Sequence, residues 1–99
     1  MKIYLSGPMS GLPGLNFPTF AAEAKRLREL GHVVFNPAEM EDTGRTWAAW
    51  IMLDLAILKA GSFDVLALLP GWERSKGCAV EVAFARGIEL EIKNTEELT

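Results

Sequence analysis

Residues 68–87 read LLPGWERSKGCAVEVAFARG, and this stretch decides the fold. The apolar run Phe63-Asp64-Val65-Leu66-Ala67-Leu68-Leu69 stops at Pro70-Gly71. A short apolar run closed by turn residues is the signature of a strand buried on both faces. The polar loop Trp72-Glu73-Arg74-Ser75-Lys76-Gly77 follows, and residues 78–86 read as a helix ended by Gly87. Strand, glycine-containing loop and helix in that order place free backbone N–H groups and a positive dipole end beside the loop. Glu81 lies about one turn into this helix, among Ala79, Val80, Val82 and Ala83. An acid in that setting is read in one of two ways. It is favoured there by the helix dipole, by roughly 0.3–1 kcal/mol, or it carries chemistry.

Outward from this stretch, the strand–helix pattern repeats. Lys2 to Ser6 reads as a first strand, followed by a loop over residues 7–15 rich in glycine and proline. Such a loop is costly to order and is more often functional than decorative. Asn16 is expected to cap the next helix, with Pro18 in its first turn and an apolar stripe of Phe17, Phe20, Ala24, Leu27 and Leu30. Gly31 closes it. His32 to Phe35 reads as the second strand, stopped by Asn36-Pro37, and His32 takes a surface or capping role at the junction. After a polar stretch over residues 38–45, Thr46 is expected to cap the helix Trp47–Ala60. That helix is apolar nearly all round, and Asp54 interrupts its stripe of Trp47, Trp50, Ile51, Ile57 and Leu58. A helix of this kind needs a second burial surface, expected to be its copy in a homodimer. Residues 88–92 alternate strictly and predict an edge strand, and residues 93–99 read as a polar tail with a frayed final turn.

Alternation of strands and helices predicts an α/β protein: a small doubly wound, Rossmann-like parallel sheet of about four strands in the order 2-1-3-4, with helices on both faces. The 99 residues form one domain. The strand order reverses between strands 1 and 3, so the loops over residues 7–15 and 70–77 should meet in the ligand crevice, with Asp54 close by. The net charge of −3 argues against polymeric nucleic acid. One cysteine, Cys78, excludes an internal disulfide, and it reads as a small core residue. No metal site or cofactor is expected, and no signal peptide or membrane span is visible, so a soluble cytoplasmic protein is expected. Neither loop matches a Walker or dinucleotide fingerprint, and a Ser-His-Asp set is missing. Carboxylates, Tyr4 and a backbone anion cradle remain for chemistry.

Taken together, Tyr4-Leu-Ser-Gly7, Asp54 with Asp64 ten residues on, and Ser75-Lys-Gly77-Cys-Ala-Val-Glu81 resemble the nucleoside 2-deoxyribosyltransferase-like superfamily, in particular its small phage and prophage domains. The similarity runs from Lys2 to Ile92. It implies that Glu81 is a nucleophile, that Asp54 assists at the departing base, that Tyr4 touches the nucleophile and that Ser75 helps hold a 5′-phosphate. Met9-Ser10 stands where nucleotide-hydrolysing relatives carry an arginine. The implied activity is cleavage of an N-glycosidic bond, or deoxyribosyl transfer, on a deoxynucleoside or its 5′-monophosphate. Substrate contacts are expected from Ser6, Gly7, Met9, Ser10, Trp72, Ser75, Lys76 and Gly77. The bland readings stand beside these: Tyr4 as a core strand residue, Asp54 in a buried ion pair with Arg45 or Lys59, Ser75 as a plain helix cap, Trp72 as a loop anchor, and Met9, Trp47 and Trp50 as packing. The alternative from another class is a catalytically silent nucleotide-binding module, such as a phage regulator.

Overall fold

A computed structural model describes residues 1–99. In chain order the elements are β1 (Lys2–Ser6), α1 (Phe17–Glu29), β2 (Val33–Phe35), α2 (Trp47–Ala60), β3 (Val65–Leu68), α3 (Lys76–Gly87) and β4 (Glu91–Asn94). One-turn 3₁₀ segments occupy Pro13–Asn16, Pro37–Glu39, Trp72–Arg74 and Thr95–Glu97. The four strands form one all-parallel sheet in the order β2-β1-β3-β4, as the alternating pattern predicts.

Because side chains alternate along a strand, the two central strands feed two separate cores. Ile3 and Leu5 of β1 join Val65, Ala67 and Leu69 under α1, whose Phe20, Ala24 and Leu27 complete that layer. On the opposite face Tyr4, Leu66 and Leu68 pack with Leu58 of α2 and with Val82 and Ala85 of α3. Both central strands are therefore buried on both sides, which is why they read as unbroken apolar runs. Tyr4 and Ser6, two residues apart, share the α2/α3 side of the sheet.

Local expectations fail at three places. Asn16 adopts a left-handed backbone (φ 62°) and makes no cap bond; its amide Nδ2 donates instead to the Pro8 carbonyl at 2.9 Å. An N-cap needs an extended backbone to aim its side chain at the helix N–H groups, so Asn16 braces the loop instead. The last strand lies at Glu91–Asn94, three residues beyond the expected start. The turn after α3 consumes Ile88 to Leu90, with the amide N–H groups of Ile88 and Leu90 donating back to the Phe84 and Ala85 carbonyls and Glu89 at φ 60°. The shifted strand still forms the sheet edge.

The polar tail is docked, not frayed. Leu98 is 4 % exposed and belongs to the core under α1. Arg26 of α1 donates to the Leu98 carbonyl at 2.9 Å and to the Thr95 carbonyl at 2.8 Å. His32 sits at the surface as expected, its ring within 3.1 Å of the Met1 ammonium and 3.2 Å of the Thr99 carbonyl.

Leu98 thus locks a terminal segment that composition alone marks as dispensable. Leu98→Ala should lower unfolding free energy by about 2–4 kcal/mol, the usual cost of emptying a core leucine site. Leu30→Ala, at a side chain left half in water, should move it by no more than about 0.5 kcal/mol. Urea titrations of the two variants check both values, and equal midpoints would mean that the tail does not seal the core.

Candidate functional site

Both central strands end at the same edge of the sheet, and there the chain opens into a cleft of about 720 Å³. This is the switch point between β1 and β3, where α1 lies on one face and α2 and α3 on the other. The loop after β1, the loop after β3, the starts of α2 and α3 and the segment around Met40 enclose it. The backbone must pass close to Leu69 at Gly7. A Cβ there would meet the Leu69 side chain at 2.7 Å, so glycine is required where the first loop leaves the sheet.

Glu81 forms the floor. It is 6 % exposed, and both of its oxygens are held from β1. The Tyr4 hydroxyl donates to Oε2 at 2.6 Å, and the Ser6 hydroxyl donates to Oε1 at 2.7 Å. Two residues apart on one strand face, Tyr4 and Ser6 meet a carboxylate carried by the helix that packs on that face. Ser6 Oγ also lies 3.1 Å from Cys78 Sγ, one turn before Glu81 on α3. A hydroxyl has a single proton. With that proton given to Glu81, the Cys78 thiol is the group that donates to Ser6. Burial pushes the thiol up, which keeps it protonated for this bond.

The acid–base character of the floor is set by burial. Desolvation raises Glu81 from its ordinary 4.5 to about 7, the Tyr4 and Ser6 bonds pull against it, and the neighbouring Asp54 charge adds to the rise. Tyr4 is driven far above the usual phenol range, by burial first and then by Glu81, so it always donates. Asp54 on α2 is raised to about 6 by burial alone. Its Oδ1 is shielded from solvent and has no hydrogen-bond partner in the protein. Neither Arg45 nor Lys59 pairs with it, so the buried ion pair open to it from the sequence does not form. A buried carboxyl oxygen left without a donor is expensive, and this one lies in the cleft lining.

At the start of α3, Ser75 Oγ accepts from the Cys78 amide at 3.2 Å and caps the helix. Ser75, Lys76 and Gly77 all line the cleft beside Arg74. Gly77 lets α2 close in, since a Cβ there would stand 3.2 Å from Ile51 Cδ1. Ser6, Gly7, Met9 and Ser10 line the cleft from the β1 side. Trp72 does not. It packs against the core beneath α2 and α3, so the expectation of a substrate contact from Trp72 is corrected to the loop-anchor reading. Its 3₁₀ turn, Trp72–Arg74, rolls the ring back onto the apolar face of the sheet.

Among the lining residues without a functional assignment from the sequence, the α2 face and Met40 stand out. Trp47, Trp50 and Ile51 stand three to seven residues before Asp54 and share its helix face, so their spacing held the signal. Met40 enters through a loop path that β2 fixes, and nothing local marks it.

The fold and cleft define a small α/β protein with a switch-point site built on paired acids. The chain belongs to the family described as a domain of unknown function (DUF4406), which it matches over residues 1–94. No curated protein matches its sequence.

A raised carboxyl destabilises the fold once it ionises. Glu81 is neutral and costs least below its unfolded value, and stability falls as pH rises from 4.5 towards about 7. Glu81→Gln keeps an acceptor for Tyr4 and cannot ionise. It should therefore be more stable than the parent at pH 8 by on the order of 3 kcal/mol, with the gap closing towards pH 5. Thermal melts across that range check the sign. A variant less stable at pH 8 would mean that Glu81 is a structural anion.

Proposed function

We propose that the cleft takes a deoxynucleoside or its 5′-monophosphate and that Glu81 cleaves its N-glycosidic bond. The observation that carries this reading is the Glu81 carboxyl, held at both oxygens by Tyr4 and Ser6 on the cleft floor, with the unpartnered Asp54 in the same cleft. One carboxylate oxygen attacks the anomeric carbon as the bond to the base breaks, and the electron pair leaves with the base. Asp54, carrying a proton, gives it to the departing base. The product is a sugar ester of Glu81. Water, or a second base, then attacks the same carbon, frees the carboxylate and returns a proton to Asp54. The Tyr4 and Ser6 bonds orient the nucleophile and stabilise it each time its charge is restored. Lys76, Arg74 and the first amides of α3 offer positive groups to a 5′-phosphate.

One observation favours a second reading. Burial raises Glu81 and favours its neutral form, which suits a nucleotide-binding module that performs no turnover. Such a module binds nucleotides and releases no base. For the outer side of α2, where Met52 is 73 % exposed, the proposed partner is a second copy of the chain. A helix apolar on every side has no face for water, and a two-fold contact buries the same face of both copies. Sedimentation should show a dimer at micromolar concentration and a monomer for Met52→Glu.

The direct test is a panel of nucleosides and 5′-monophosphates scored for free base by chromatography. Glu81→Gln should lose several orders of magnitude, and a 2-fluoro-2-deoxy nucleoside should leave its sugar mass on the peptide containing Glu81. Label on Asp54, or full turnover by Glu81→Gln, overturns the assignment.

The reactive form needs Glu81 ionised and Asp54 protonated. Asp54 at about 6 and Glu81 at about 7 keep the usual order of aspartate below glutamate, so this form is the minor one at every pH. The profile of kcat/KM should therefore be a narrow bell between those values, its limbs belonging to the pair. Asp54→Asn should abolish the alkaline limb and lower the rate by about 10²–10⁴-fold. An unchanged alkaline limb in that variant would remove Asp54 from proton transfer.

A further inference from the structure

The α2 wall of the cleft carries Trp47, Trp50, Ile51 and Asp54, which fall on one helix face at spacings of three, four and seven. Asp54 lies at the deep end, with its unpartnered oxygen. Trp47 lies at the mouth and is 48 % exposed, unusual for an indole that no core requires. Its ring is not bare. The Lys76 ammonium stands 4.9 Å from the ring centroid. Lys76 begins α3, the helix packed beside α2, and both Lys76 and Trp47 line the cleft. Lys76 forms no ion pair. Trp50 differs, because the cation on its ring is Arg45, which arrives from the loop just before its own helix.

We infer that Trp47 is the base-stacking residue of the site, and that Lys76 holds its face until an aromatic base takes that place. A cation over an indole and a heterocycle stacked on it use the same π surface, so only one occupies it at a time. Trp47 and Asp54 lie on the same helix face about two turns apart, so a base on Trp47 lies along the wall that leads to Asp54. The displaced ammonium lies beside Ser75 and Gly77 and turns to the anionic end of the same ligand. The ligand class is therefore a nucleotide recognised by its flat base as well as by its sugar phosphate. This assignment rests on the nucleotide reading of the cleft and adds the residue that reads the base.

The experiment compares two ligands, a set of 5′-deoxynucleoside monophosphates and 2-deoxyribose 5-phosphate, which has no base. Trp47→Ala should weaken the nucleotides by about tenfold or more, in line with base–aromatic stacking, and leave the sugar phosphate within about twofold. Trp47→Phe should restore most of the loss. In a Trp72→Phe background, where the indole outside the cleft is removed, nucleotide binding should quench fluorescence, and Trp47→Phe should remove most of that quench. Equal weakening of both ligands, or of neither, overturns the stacking role while leaving the nucleotide reading intact. Failure of every nucleotide to bind the parent protein takes down that reading and this assignment together.

Discussion

The pair of hydrogen bonds from β1 to Glu81 is the constraint on which the site depends. Tyr4 and Ser6 are two residues apart, so a single strand face delivers two hydroxyls to one carboxyl at 2.6 and 2.7 Å. That geometry needs α3 to lie across the end of β1 with its second turn against the sheet. The packing of Val82 and Ala85 beside Tyr4 and Leu66 holds it there. The same contacts that build the core beneath α2 and α3 therefore also aim the acid. A substitution that shifts α3 would loosen both at once.

Two acids share a cleft on a chain with few ways to compensate them. Asp54 has no partner for one oxygen, and Glu81 is raised despite two donors, because neither donor is a cation. A guanidinium in place of either hydroxyl would hold Glu81 ionised and relieve the fold. Neutral donors instead leave the carboxyl poised near neutrality, able to carry charge without being trapped by it. Such tension is characteristic of chemistry and not of stability. The cations near the site, Arg74 and Lys76, stand at the rim instead of the floor, where they suit an anionic part of a ligand.

The rim and the floor also come from different origins. The floor belongs to the buried β1 and to the buried face of α3. The rim is built from the irregular segments after β1, β2 and β3 and from the first turns of α2 and α3. Its apolar members include Leu12, Leu15, Phe17 and Trp47, each left at least 40 % exposed. In a small domain, exposed apolar groups around a single cleft mark a surface that a ligand or another protein covers.

Sequence by itself settled the sheet and much of the floor. Unbroken apolar runs for β1 and β3, helical stripes for α1 and α3 and the strand–helix alternation allow one simple order, and that order brings residues 7–15 and 70–77 together. Glu81 and Asp54 were legible because each is a carboxylate set in an apolar pattern, a local contradiction visible without coordinates. Burial of Leu98 was not legible, since a lone leucine in a polar tail becomes core only when Arg26 and the α1 layer are in place to receive it. Nor was the start of β4, because the residues spent in turning out of α3 depend on where the neighbouring strand lies. Tertiary structure alone decided which tryptophans meet the cleft. Trp47 and Trp72 look alike as aromatic residues near loops, yet a 3₁₀ turn rolls Trp72 onto the core while the α2 face carrying Asp54 leaves Trp47 at the mouth. Side-chain direction at a loop is set by the backbone around it, and that backbone is fixed by packing between segments distant in the chain.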